Sequence, residues 1–69
     1  MKQEEEKCPF THFDPQSKYA EFDYNGIRFY ISPLDPDMAY GLDEPEMSAQ
    51  ISRIDFEEQT VYIYGMFQI

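Results

Sequence analysis

The stretch Tyr19-Ala20-Glu21-Phe22-Asp23-Tyr24-Asn25-Gly26-Ile27-Arg28-Phe29-Tyr30-Ile31-Ser32 decides the fold. Asn-Gly between two alternating runs is the strongest short-range hairpin signal, because a type I′ turn needs φ > 0 at both central residues and these two tolerate it. Folding the chain at Asn25-Gly26 pairs Tyr24 with Ile27, Phe22 with Phe29 and Ala20 with Ile31 on one face. The other face pairs Asp23 with Arg28, Glu21 with Tyr30 and Tyr19 with Ser32. One face is apolar and the other carries a cross-strand ion pair, the pattern of a sheet buried on one side.

Toward the C-terminus the same period returns. Ser52, Ile54 and Phe56 share a parity, Glu57-Glu58-Gln59-Thr60 reads as a turn, and Val61 and Ile63 resume the strand. This register pairs Phe56 with Val61 and Ile54 with Ile63, and places Asp55/Tyr62 and Arg53/Tyr64 on the opposite face. Ile51 falls on the wrong parity, which predicts a β-bulge near Ser52 or Arg53. Gly65 predicts a bend before Met66, Phe67 and Ile69.

The segments outside these hairpins alternate poorly. Met1–Lys7 is charged and is expected to fray. Cys8–Lys18 contains Pro9 and Pro15 and reads as irregular, with Phe10 and Phe13 pinned onto the sheet. Pro33 stops the strand before it, since proline donates nothing to a ladder. Asp35 before Pro36, and Asp43 with Glu46 three residues later, have the spacing of helix caps, so single helical turns are expected there at most. The sequence therefore predicts a mainly β domain spanning 1–69: a small antiparallel sheet or open barrel built from two hairpins. Its parts are an irregular segment at 1–18, hairpins at 19–32 and 49–69, and an acidic, proline-rich connection at 33–48 that holds any helical turns, within 35–50.

At 69 residues such a domain buries only about 60% of its unfolded surface, which leaves no room for a deep cleft between layers. Six Phe and six Tyr supply the burial, each able to remove roughly 150–250 Å² from water. The net charge is −9, from fourteen carboxylates against five Lys and Arg. That balance argues against nucleic acid or an anionic membrane as a direct ligand and favours a basic partner. Cys8 is the single cysteine, so no internal disulfide forms. With a charged stretch at Lys2–Lys7 and no apolar run after it, the chain reads as cytoplasmic, without a leader or membrane span.

Candidate chemistry is sparse. Cys8 and His12 form a C-x3-H spacing, but zinc normally takes four ligands and no second Cys or His exists in the chain. A packed thiol and a solvated imidazole account for them. Asp35, Asp37, Asp43 and Glu46 match positions 1, 3, 9 and 12 of a calcium loop, yet Tyr40 stands where the template needs glycine and Ala39 where it needs an oxygen donor. Acid–base hydrolysis needs two carboxyls facing across a cleft, whereas these acids sit on turns and strand exteriors. No catalytic residue, metal site or cofactor is expected. The outer faces of the two hairpins, if they belong to one sheet, gather Tyr19, Glu21, Asp23, Tyr30, Asp55, Tyr62 and Tyr64 into a mixed acid and tyrosine surface.

In size and composition the chain resembles the small acidic inhibitors of phages and mobile elements, among them anti-CRISPR proteins and DNA mimics. The features carrying the resemblance are Glu4-Glu5-Glu6, the Glu21/Asp23 row, the acids of 35–46 and those of 55–58. It implies a non-catalytic inhibitor that occludes the basic nucleic-acid-binding surface of a host protein, with carboxylates standing in for phosphates. The expected contacts are Glu21, Asp23, Asp35, Asp37, Asp43, Glu44, Glu46, Asp55, Glu57 and Glu58, with Tyr30, Tyr40, Tyr62 and Tyr64 supplying packing. The rival reading is a structural β module that homodimerises or docks by an exposed sheet edge, to which the apolar 65–69 segment points. A third is a small-ligand binder assembled across an oligomer interface.

Overall fold

A computed structural model describes residues 5–68. Six strands follow one another, β1 (Glu6–Asp14), β2 (Tyr19–Tyr24), β3 (Ile27–Ser32), β4 (Asp35–Gly41), β5 (Met47–Asp55) and β6 (Thr60–Gln68). Each pairs antiparallel with the next, and β6 closes on β1 to make a barrel. The fold is thus mainly β, with no helix among the described residues.

The first hairpin has the register read from its sequence, from Ala20/Ile31 to Tyr24/Ile27. Asn25 and Gly26 take φ of 53° and 75°, as a type I′ turn requires. Phe22 and Phe29 are fully buried and stack at 5.5 Å between ring centroids. Around them the interior is built in rows. One runs Phe10–Phe22–Phe29–Gly41, and the next Phe13–Ala20–Ile31–Ala39–Ala49–Met66. A narrow barrel cannot hold a large side chain at every inward position, so small residues alternate with large ones. A third row, Ile54–Val61–Cys8, closes the wall.

Two segments expected to be irregular are strands. β1 was hidden by Pro9 and a broken period. Pro9 occupies the last rung of the ladder with β6, and the strand then changes partner to β2 at Phe10, with a register shift between Phe10 and His12. That shift moves the inward positions from Cys8 and Phe10 to Phe13. Glu6 and Lys7 belong to this strand rather than to a frayed end, and residues 1–4 lie outside the described residues. β4 replaces the helical turns expected near Asp35. Its buried residues are Ala39, beside Ile31, and Gly41, where a Cβ would strike the Glu44 carbonyl oxygen, so neither gives a hydrophobic signal. Pro36 falls in the irregularity where the register jumps from Ser32/Asp35 to Ile31/Ala39, a place that needs no ladder donor.

The second hairpin is offset from the predicted register. Its turn is 56–59 rather than 57–60, so Asp55 pairs Thr60, Ile54 pairs Val61 and Arg53 pairs Tyr62. The reason is the turn chemistry: the Asp55 carboxylate accepts the Glu58 N–H at 3.1 Å, and Gln59 takes φ of 53°. The bulge that Ile51 demanded is present, with Ser52 the extra residue between Ile51/Ile63 and Arg53/Tyr62. Gly65 has φ of 155° beside the Gln50/Ile51 shift, a conformation suited to glycine. Ile69 lies outside the described residues.

Candidate protein-binding surface

Closure of the barrel separates the surface that the sequence had grouped together. In the order β1 to β6, the pair β2–β3 lies across the barrel from β5–β6. The outward residues of the first hairpin therefore face one way, and Tyr62 and Tyr64 face the other.

On the first side, outward positions of β2, β3 and β4 bring Tyr19, Tyr30 and Tyr40 into a row, with ring centroids 6.3 Å apart at each step. His12 extends it at 6.2 Å from Tyr19. The rings are half-buried by one another, and two of the phenols donate to carboxylates: Tyr19 to Glu21 at 2.6 Å and Tyr40 to Asp35 at 3.3 Å. Burial, then the bond to Glu21, pushes the Tyr19 phenol up to about 12. Burial and Asp35 also raise Tyr40. Both tyrosines stay neutral donors and fix the direction of their carboxylates. Arg28, the sole cation in residues 19–41, is bonded to Asp23 at 3.0 Å with both side chains about half exposed. Such a solvent-screened pair adds little to stability, but it neutralises the one Lys or Arg charge of these strands.

On the second side the row Lys7–Tyr62–Arg53 crosses β1, β6 and β5. The Arg53 guanidinium lies 3.8 Å from the Tyr62 ring centroid. Tyr62, expected among the acidic contacts, thus stands between two cations, although Glu5 also reaches this side and accepts from the Ser52 hydroxyl at 2.7 Å.

The remaining acids divide between the barrel's two ends. Asp43, Glu44 and Glu46 lie at the end that holds the Asn25-Gly26 turn, in the connection from β4 to β5. Asp37, Asp55, Glu57 and Glu58 lie at the other end, where Asp35 also begins β4. The extended strand Asp35–Gly41, about 20 Å long, holds Asp35 and Asp37 at one end of the barrel and leads to Asp43 and Glu46 at the other, so the calcium-loop spacing does not become a site. Cys8 is buried inside the wall and His12 is exposed outside it, so the C-x3-H pair does not converge. Burial first and Glu6 second push the Cys8 thiol up, away from the reactive thiolate. No group of three or more potential metal ligands is found among the described residues, and no helix there is long and apolar enough to cross a membrane.

Sequence reasoning did not find the apolar pocket between the turns at 15–18, 33–34 and 56–59, whose lining includes Ile31, Pro33, Pro36, Ile54 and Phe56. The available signal was apolar residues inside turn segments, Leu34 between Pro33 and Asp35 and Phe56 before Glu57-Glu58. Comparison with known proteins gives no matching family model, and no curated protein or solved structure with significant similarity.

Proposed function

We propose that the protein is a non-catalytic inhibitor of the acidic, DNA-mimic kind, which covers the basic nucleic-acid-binding surface of a cytoplasmic host protein with the outer face of β2–β3–β4. One observation carries the reading. The tyrosine row holds Glu21 and Asp35 by phenolic hydrogen bonds while the only cation of these strands is already paired. Pre-oriented carboxylates around half-buried aromatic rings combine long-range steering with packing anchors. Edge docking has less to work with, because each of the six strands has a partner on both sides over part of its length. Anti-CRISPR action would be one form of such inhibition.

The test is capture of partners from bacterial lysate on the immobilised protein, eluted with a salt gradient. A nucleic-acid-binding protein released at moderate salt is expected, since the Debye length falls to about 8 Å near 0.15 M. Neutralising Glu21, Asp23, Asp35 and Asp37 to Gln or Asn should weaken that capture while melting stays cooperative. Salt-insensitive capture that survives the four changes sinks the proposal.

A further inference from the structure

The barrel end made by the turns at 15–18, 33–34 and 56–59 holds a pocket of about 270 Å³, lined by Ile31, Pro33, Pro36, Ile54 and Phe56, with Lys18 laid over the Phe56 ring at 4.9 Å. Drug-sized ligands use pockets of roughly 300–1,000 Å³, so this one lies just below that range and has room for one large side chain. The apolar character continues outside it. Leu34 is 94% exposed and Phe56 36%, two of the three large hydrophobic side chains exposed among the described residues. The wall behind is firm, because Phe56 packs on Phe10 and Phe13 at 6.4 and 5.7 Å.

The same turns and strand ends carry Asp14, Asp35, Asp37, Asp55, Glu57 and Glu58, against Lys18 and Arg53, and the Arg53 guanidinium is stacked on Tyr62. The acids ring the hole rather than line it, and Lys18 is its one charged lining residue; the surrounding excess of carboxylates favours an apolar group that arrives with positive charge beside it. The hole is also continuous with the acidic face: Asp35 accepts from Tyr40 on that face and adjoins Pro36 in the pocket.

We infer that this mouth receives one aromatic or long aliphatic side chain of the partner, flanked by Lys or Arg; the inference rests on the acidic-face reading and names its anchor. Buried anchors of this kind carry most of the energy of small interfaces, with charge setting the approach.

The test uses the full chain, isotope-labelled for NMR, and three amidated five-residue peptides. The first has a central Phe with Lys or Arg on each side, the second replaces Phe by Ala, and the third flanks Phe with Glu. The first should shift the methyl signals of Ile31 and Ile54 and bind at least about tenfold more tightly than the other two. Equal binding of the Phe and Ala peptides, with shifts confined to the rings of Tyr19, Tyr30 and Tyr40, overturns the pocket and leaves the acidic face standing. Equal binding of the acidic and basic Phe peptides overturns the charge requirement. Methyl shifts that appear on concentrating the protein alone assign the mouth to a second copy and overturn the inference. No response to either basic peptide counts against the pocket and the face together.

Discussion

The outer face of β2–β3–β4 carries three tyrosines in a cross-strand row and that of β5–β6–β1 carries one in its row, Tyr62, and they differ in what stands beside the rings. On the first, the phenols of Tyr19 and Tyr40 hold Glu21 and Asp35. On the second, Tyr62 lies between Lys7 and Arg53, and the guanidinium covers its ring. A cation on an aromatic face contributes about 0.5–1 kcal/mol when exposed and removes that face from use by a partner. The same residue type is therefore available on one side and occupied on the other. A net charge of −9 says nothing about this division; the order of strands around the barrel creates it.

The largest expected effect tests that division directly. Reversing Glu21 and Asp35 to Lys would place like charges against the proposed basic partner, which costs several kcal/mol. Affinity for the captured partner should fall about 100-fold, or about 2.7 kcal/mol. Reversing Lys7 and Arg53 to Glu should leave it unchanged or slightly improved. Titration calorimetry of the two double variants decides, and equal losses would erase the distinction between the faces.

A smaller effect is expected at the turn that holds the acidic face together. At Gly26 an added Cβ meets nothing within 4 Å, so the cost of Gly26→Val is backbone strain at φ of 75°. A β-branched residue there should cost about 1–3 kcal/mol. Denaturant melting measures the loss, and an unchanged midpoint would mean that the type I′ turn does not control this register.

Legibility followed the same physics. The first hairpin could be read because its core residues are large, its outward residues are polar and its turn has a dipeptide signature. β4 could not, because its inward positions are small: Ala39 sits beside the large Ile31, and the Glu44 carbonyl leaves no room for a Cβ at Gly41. β1 was obscured by a register shift that breaks its period after Phe10. In the second hairpin the bulge could be read from Ile51, but the turn was displaced by the Asp55 side chain, a local bond that hydrophobic parity does not report. The acidic residues were all visible, whereas their grouping depended on closure. Tyr62, which parity groups with the acids, has Lys7 and Arg53 as its cross-strand neighbours.

The titration of Tyr19 sharpens the comparison at high pH. Its folded pKa is raised from the ordinary 10.0 to about 12, by burial first and then by Glu21. A raised folded pKa means that the neutral phenol's contribution is fully present below about pH 10. That contribution is lost as pH rises through the folded value. Stability of the wild type should therefore decline between pH 10 and 12, and Tyr19→Phe should flatten part of that decline. If the two proteins show the same pH profile, the Tyr19–Glu21 bond does not organise the face.

The smallest effect concerns the two turns that feed the faces from the open barrel end. Asp14 and Asp55 each begin a four-residue turn by accepting a backbone N–H, from Gln16 and Glu58, both at 3.1 Å. Each turn ends on a non-glycine residue in the left-handed region, Lys18 at φ of 63° and Gln59 at 53°. An L-residue is strained there by roughly 1–2 kcal/mol, offset in part by the greater unfolded freedom of glycine. Gln59→Gly should therefore stabilise by about 0.5–1 kcal/mol, and it keeps the backbone carbonyl that accepts from Phe10 at 2.8 Å. Lys18→Gly relieves similar strain but removes the ammonium over Phe56, a contact worth about 0.5–1 kcal/mol. Its net gain should be close to zero. Thermal melting of the two variants measures the difference, and an equal gain in both would mean that Lys18 does not brace the Phe56 ring.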